Sequence, residues 1–422
     1  MKLQFISNAC CIVESSEGTK IVTDPWLDDG VFDGSWCHFH KLKTSWDDLQ
    51  SVDAVYVSHV HPDHFDERFF QFPKDTPMIV LDHGMNFLHK NLIKMGYKNL
   101  VKIKNWETVS FKDLKLTLFS PFAGNNYFEE NTKIGNLIDS AILFEADNKK
   151  IFNANDNTPN PEACKELKER FGVFDISMMN YNAAGPYPAC FNNLNNDEKV
   201  SEHFKNLERN VDYTYENLRV LNSKYFLPFA GAYVLGGKLS YKNKYLGTMS
   251  WDKCIDMLNK KDSIQGTEYI ALNEGTTFNL SSGKPDYEYK PIDDKEIDAY
   301  IKSTLSQLKY PYELDEMPNK LKLENDISAA VLAMSERLER IKLVPDMNVF
   351  LEVYEREILI IKVIERQSKG TLKCSMDPRL LRRILDRSSH WNIAEIGCHI
   401  DFNRKPNYYS PDIHTALQFF HM

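Results

Sequence analysis

The chain has 422 residues, 42% of them hydrophobic and 26% charged, with a net charge of −9 at pH 7. That balance is globular and excludes collagen-like, coiled-coil and wholly disordered chains; no apolar run reaches the roughly 18 residues that a membrane span needs. An acidic surface repels phosphate backbones, so nucleic acid is a poor partner, while a local basic pocket for a small anion is compatible with it.

At about 150 residues per domain the length suggests two or three domains. The start of the chain, through Gly18, carries one Lys and an apolar stretch too broken for a secretory leader. Eight cysteines are scattered without a Cys-x-x-Cys pair, which reads as reduced thiols in a cytoplasmic protein.

Strand and helix signals alternate over the first 290 residues. Residues 18–23 read as a strand stopped by Asp24-Pro25. Residues 54–58, apolar and rich in β-branched and aromatic side chains, read as a buried strand. A short helix is expected at 66–72, a strand at 78–81 and a helix at 85–95. Residues 101–120 read as two strands joined near Lys112-Asp113, and 140–153 as a hairpin turning at Asp147-Asn148. A helix at 161–171 leads to a strand at 173–179, an Asn-rich loop and a long helix at 201–221. The Ser/Gly/Pro/Lys stretch 281–291 reads as a linker. Beyond it, 294–308 and 323–341 have helical periodicity, 349–363 reads as a strand pair and 378–387 as a basic helix. The expected division is therefore 1–290 and a smaller α+β accessory domain at 291–422.

One segment outweighs the rest. Ser58-His59-Val60-His61-Pro62-Asp63-His64 follows a buried strand and packs three imidazoles and a carboxylate into six residues. His59 and His61 project from the same side of an extended backbone. After the turn at Pro62, Asp63 and His64 can face a neighbouring point. Neutral imidazole and carboxylate suit zinc, iron or manganese without a thiolate. A lone His would favour a polar loop bonded to backbone; this density favours a metal site. A second contributor is Asp156, in Asn153-Ala154-Asn155-Asp156-Asn157 after the 150–152 strand. Its alternative is a turn carboxylate bonded to its own backbone.

His59-x-His61-x-Asp63-His64 after a strand, preceded by Thr23-Asp24-Pro25-Trp26-Leu27, resembles the metallo-β-lactamase superfamily. Within it, Asn8-Ala9-Cys10, Asp24 to Leu27, Ile151 to Asp156, Met178-Met179 and Pro228-Phe229-Ala230-Gly231 resemble the hydrolase-like domain of the cytidine monophosphate-N-acetylneuraminate hydroxylases. These words are spread over residues 8–235. The resemblance implies an α/β fold, a four-layer αββα sandwich with metals between the sheet ends, and Asp156 as a metal ligand.

Two departures stand out. Superfamily members supply another His before the Asp156 hairpin, but none stands between His89 and His203, and Asn125 or Tyr127 is nearby instead. A further His follows a late strand, where this chain has Ala230. The expected ligand set is His59, His61, Asp63, His64 and Asp156, holding one divalent ion firmly or two loosely, zinc or iron. His83 is the nearest spare imidazole; otherwise it is a satisfied loop residue.

Loops 180–188 and 228–233 are expected to line the cleft, with Asn182, Gly185, Phe229, Gly231 and Tyr233 facing substrate and Gly letting backbone approach it. Ordinary tight turns are the alternative. Cys37-His38-Phe39-His40 fits no common metal spacing and reads as a loop at the pocket mouth. Arg379, Arg382, Arg383 and Arg387 form a basic face, solvated or paired with acidic helices or an anion.

Three functions fit. A metal-dependent hydrolase would use a metal to lower the pKa of its water to about 7 against a small anionic substrate, with Asp63 as second-ion ligand or base. An iron oxygenase on a nucleotide sugar, such as a CMP-sialic-acid-like compound, follows from the resemblance. It would need a separate electron-transfer protein or a two-iron site, since a Rieske cluster takes two Cys and two His and no Cys-x-His pair stands in this chain. A binding protein with a degenerate metal site is third, and the intact motif argues against it. The hydrolase asks for the fewest absent parts. Expected partners are a small-molecule substrate and further copies of the chain in a homo-oligomer, without nucleic acid or membrane.

Overall fold

Successive residues of a strand point to opposite faces, and the buried strands here are apolar on both. In Ala54–Tyr56, Ala54 and Tyr56 join one core, while Val55 and the following Val57 join another. Met78–Asp82 divides the same way, Ile79 and Leu81 against Met78 and Val80. A sheet apolar on both faces must be covered on both. A second sheet provides one cover. Helix Phe87–Lys94 provides part of the other, through Leu88 and Leu92.

The computed structural model describes residues 1–84, 87–122 and 138–422. Its first sheet has eight strands, in spatial order Lys284–Pro285, Thr277–Asn279, Lys2–Ser7, Cys10–Glu14, Lys20–Thr23, Ala54–Tyr56, Met78–Asp82 and Leu100–Lys104. The last four run parallel, with Ile21 opposite Ala54, Val55 opposite Met78 and Met78 opposite Leu100. The second sheet has seven, in order Glu268–Tyr269, Tyr225–Pro228, Ile176–Met179, Lys149–Asn155, Ala141–Ala146, Leu114–Phe119 and Thr108–Phe111. Here Lys149–Asn155, Ile176–Met179 and Tyr225–Pro228 are parallel.

Helices Pro161–Phe171 and Asn196–Leu221 complete the αββα layering. The first starts on an Asn160 cap with Pro161 next and stops at Gly172, where φ is 74°. The second starts on a capping box of Asn195 and Glu198. No helix among the described residues is long and apolar enough to cross a membrane.

The C-terminal part carries a four-stranded sheet, in order Arg356–Ile361, Asn348–Val353, Thr371–Ser375 and Asp401–Lys405, with helices Lys320–Ile341, Pro378–Leu385, Trp391–Ile396 and Pro411–Leu417. One apolar cluster joins Trp26, Phe32, Trp36, Phe191 and Tyr233 to Leu351, Leu381, Trp391 and Phe402. Backbone bonds cross the same seam, from Phe402 N–H to the Cys190 carbonyl at 2.8 Å and from Asn192 N–H to the Phe402 carbonyl at 2.7 Å.

Several local readings are corrected. The helix expected at 66–72 is a turn: only Phe69 and Phe70 N–H bond back to the Asp66 carbonyl. Phe65, Phe70 and Phe72 are all buried, and residues two apart, such as 70 and 72, cannot share a helix face. The two strands expected at 101–120 are three. Leu100–Lys104 stays in the first sheet, and the chain crosses at Asn105-Trp106 to build the Thr108–Phe111 and Leu114–Phe119 hairpin of the second. The 281–291 linker contains an edge strand, Lys284–Pro285. Met85, the expected start of the next helix, lies outside the described residues. The hairpin turn at Asp147-Asn148 is in place, both residues at φ 55°.

Leu143, opposite Phe152 in the second sheet, is fully buried in the main core. Leu143→Ala should cost about 2–5 kcal/mol, read as a lower urea midpoint at unchanged slope.

Candidate metal centre

The parallel strands of both sheets bring their C-terminal ends together, and each end delivers a polar side chain. Lys20–Thr23 ends in Asp24, and Ala54–Tyr56 runs on into Ser58 and His59. Lys149–Asn155 ends in Asp156, and Ile176–Met179 in Asn180. A register shift after Asn153 and a left-handed Asn155, φ 49°, lift Asp156 out of the ladder.

Two buried groups aim the imidazoles. Asp24 Oδ1 accepts the Ser58 N–H at 2.7 Å, and its Oδ2 lies 3.1 Å from His64 Nδ1. Ser58 Oγ lies 2.9 Å from His59 Nδ1 and 3.2 Å from His64 Nδ1. With Nδ1 of both rings engaged, Nε2 of each faces the centre. His61 is turned the other way, its Nδ1 2.8 Å from His59 Nε2.

Carboxylates close the site. Asp139 Oδ1 is 3.6 Å from His59 Nε2. Asp156 Oδ2 is 3.9 Å from His59 Nε2 and 3.3 Å from His64 Nε2. Asp63 Oδ2 is 3.3 Å from His64 Nε2. Asn180 Nδ2 donates to Asp156 Oδ1 at 3.0 Å, and Asn8 Nδ2 to Asp63 Oδ2 at 3.2 Å. The donors form two overlapping sets, His59/His61/Asp139 and His59/His64/Asp156, each within 4.8 Å.

These residues fit a bound cation. Tetrahedral bonds of about 2.0–2.1 Å give donor–donor edges of about 3.3–3.4 Å, and the spacings here bracket that range. His64 Nε2 is buried, makes no hydrogen bond and sits between two carboxylate oxygens. Its environment asks for positive charge.

Titration directions agree. Burial, with His64 and His61 close by, holds His59 well below its usual value. Burial also pulls His64 down, but Asp63, Asp24 and Asp156 outweigh it and raise His64 well above the model-compound range. Burial pushes Asp156 up, but His64, His61 and the Asn180 amide together outweigh it, so its carboxyl is held low. Asp24 is raised by burial against the opposing pull of His64. Without metal, the centre keeps a proton on His64.

The structure thus brings together His59, His61, Asp63, His64 and Asp156, and adds Asp139, which the sequence reading missed. Nothing local marks a single Asp ahead of a strand. Asn125 and Tyr127 lie outside the described residues. His83 lines a small recess beside His59 with Leu81 and His89 but joins neither donor set. Ala230 is left-handed, φ 66°, and ties its N–H to the Asn8 carbonyl at 3.1 Å.

The expected lining residues divide. Asn182 is a clasp, donating to the Gly231 and Met249 carbonyls at 2.9 and 3.0 Å and accepting the Met249 N–H at 2.9 Å. Phe229 packs edge-on to Phe5, centroids 6.2 Å apart, in the core. Gly231, φ 74°, makes room: a Cβ there would stand 3.0 Å from Asn180 Oδ1, the amide that holds Asp156. Gly185, φ 145°, faces open space. Tyr233 stacks on Trp36 at 3.4 Å and 7° and lines a cavity of about 610 Å³ with Phe39, Met249 and Lys253. No metal-donor residue lines that cavity.

Other clusters resolve structurally. His38 is buried 4.0 Å from the Trp26 ring, and burial with His40 lowers its pKa to about 3. Arg379 pairs with Asp377 at 2.8 Å, Arg383 with Asp315 at 2.5 Å, and Arg382 with Asp326.

Residues 19–203 match the family described as the beta-lactamase superfamily domain. A protein of Mycolicibacterium smegmatis named for a Rieske 2Fe-2S iron-sulfur centre is 26% identical over 238 residues, 55% of this chain and 43% of that one. Cytidine monophosphate-N-acetylneuraminic acid hydroxylase of Cricetulus griseus is 24% identical over 245 residues, 56% of this chain and 40% of that one. The matched region spans less than half the length of these relatives. Among solved structures, a possible metal-dependent hydrolase from Veillonella parvula aligns at TM-score 0.47 and 18% identity, covering 66% of this chain and 98% of that one. A diiron beta-hydroxylase from Streptomyces venezuelae aligns at 0.44 and 13%, covering 65% and 53%.

The raised His64 pKa stabilises the metal-free fold fully below about pH 6.5, and that contribution is lost as pH rises through the folded-state value. A metal must displace this proton. Zinc affinity should therefore rise with pH, and calorimetric titrations in two buffers of different ionisation enthalpy should show proton release at neutral pH. Equal heats in both buffers would contradict the proton assignment.

Proposed function

We propose that this protein is a metal-dependent hydrolase with a two-ion centre, on the premise that residues 19–203 match the beta-lactamase superfamily domain. One ion would be held by His59, His61 and Asp139, and a second by His64 and Asp156 with Asp63 beside them. The observation that supports this is the position of Asp156 Oδ2, 3.3 Å from His64 Nε2 and 3.9 Å from His59 Nε2, the imidazole that both donor sets share.

When bound, such ions lower the pKa of a coordinated water to about 7 and polarise the scissile oxygen. The protein's own groups do the positioning. Asn180 and Asn8 each donate to one carboxylate, fixing which oxygen of Asp156 and Asp63 turns inward. Asp63 Oδ2, which accepts from Asn8, lies 3.3 Å from His64 Nε2, and this supports a ligand role over that of a separate base. Ala230 supplies no donor, so a second ion would have few protein ligands and a position open to water or substrate. Eight buried free thiols support a reducing, cytoplasmic setting.

A second reading has its own observation. With Asp139 added to the expected ligands, carboxylates equal imidazoles among the candidate donors, and mixed His/carboxylate sites with open positions suit non-haem iron. That supports an oxygenase on a nucleotide sugar, fed by a separate electron donor, in line with the hydroxylase relatives.

Elemental analysis of protein purified without added metal separates the two. Zinc or manganese with turnover of an ester, amide or phosphodiester supports hydrolysis. Iron near stoichiometry with a dithionite-responsive absorption band supports the oxygenase instead. His61→Ala should lose metal and at least about 100-fold of activity, the scale seen when a group that organises a reactive centre is lost; full retained activity would remove the metal mechanism.

A further inference from the structure

We infer that Asn392, far along the chain, is a positioning residue for the metal centre, fixing the tautomer and direction of His61. The inference rests on the metal reading above.

His61 Nε2 lies 3.1 Å from Asn392 Oδ1, across 331 residues of sequence, while its Nδ1 faces His59 Nε2 at 2.8 Å. An amide oxygen only accepts a hydrogen bond. The Nε2 nitrogen therefore carries the proton, and Nδ1 is a bare lone pair directed at the space shared with His59 and Asp139. Reversing the amide would place an N–H against Nε2 and move the ring proton to Nδ1, where it would block ligation. The other donors are oriented from the N-terminal part, His59 and His64 by Ser58 and Asp24, Asp156 by Asn180 and Asp63 by Asn8. His61 takes its orienting group from the C-terminal part.

Asn392 is held firmly enough for this. It lies in helix Trp391–Ile396, next to the fully buried Trp391, and its N–H bonds His390 Nδ1 at 3.2 Å. The segment around it is clamped to the loop that carries Phe32, whose ring lies 6.3 Å from His61. Ser389 Oγ donates to Asp33 Oδ2 at 2.7 Å, Trp36 Nε1 to the Ile396 carbonyl at 3.3 Å, Ser35 Oγ to the Gly397 carbonyl at 2.8 Å, and His399 Nε2 to the Phe32 carbonyl at 2.9 Å. Gly397 permits the close approach: a Cβ there would stand 2.9 Å from the Phe32 carbonyl oxygen. The C-terminal part therefore docks so that one of its side chains completes the environment of a metal donor.

The test uses the full chain and zinc alone as probe, with Asn392→Ala and Asn392→Asp beside the unaltered protein. Zinc affinity is read by chelator competition, the His61 ring by ¹⁵N-edited NMR of the zinc-loaded state, and folding by the thermal midpoint of the chelated protein. Asn392→Ala should weaken zinc binding about 10–100-fold, the usual cost of removing a ligand's orienting partner, and should lose the protected Nε2–H signal. Asn392→Asp keeps an acceptor and should restore both. The chelated midpoints should stay together. Wild-type zinc affinity with an unchanged ring signal in Asn392→Ala overturns the inference alone. A loss that Asn392→Asp fails to restore, matched by a lowered chelated midpoint, also overturns it, as structural damage. Failure of the unaltered protein to bind zinc and, in the same competition, manganese(II) or iron(II) overturns the metal reading and this inference with it.

Discussion

A buried imidazole ringed by three carboxylates is the constraint on which the rest depends. His64 lies 3.1 Å from Asp24 and 3.3 Å from both Asp63 and Asp156, with its side chain wholly out of water. Unpaired charges in such a place are costly to bury, and like charges cost more. The strand ends that bring them together are tolerable only if positive charge arrives with them. A proton on His64 supplies part of it, and bound cations would supply the rest. Folding and ion binding at this centre are thus one thermodynamic problem.

The surrounding sequence serves that requirement with neutral groups. Asn8 and Asn180 donate to the carboxylates without adding charge, and Ser58 bridges two rings from the strand end that precedes the motif. Gly231 keeps the space Asn180 needs, and the shift at Asn153 sets the exit direction of Asp156. Asp139, 3.6 Å from His59, adds an oxygen donor to the set, and Ala230 offers none. Both features bear on which metal the centre prefers, and hydrolysis and oxygen activation would start from the same scaffold.

The C-terminal part is tied into this scaffold by more than apolar contact. Lys242 is buried at the seam, its Nζ 2.7 Å from Asp401 Oδ1, 2.9 Å from the Cys398 carbonyl and 3.2 Å from Cys190 Sγ. Breaking one partner of such a buried set would strand a charge. This junction and the clamp around Asn392 lie on the same interface, so the docking that buries Trp36, Phe191 and Trp391 also sets the approach to His61.

The linear chain specified whatever depends on near neighbours. The both-sided apolar run at 54–57, the Asp147-Asn148 turn, the Asn160-Pro161 helix start and the histidines at 59, 61 and 64 are set by side-chain alternation, backbone preference and short spacing. Asp156 was legible because a strand end precedes it. Folding alone decided the rest. Asp139 reaches His59 only because two sheets stack with their strand ends level, and Asn392 meets His61 only because a distant helix docks on the Phe32 loop. The failed helix at 66–72 has the same cause, since burial on two sides overrode a local preference. Contacts across sheets and seams depend on register and packing, and these leave no periodic trace along one strand of sequence.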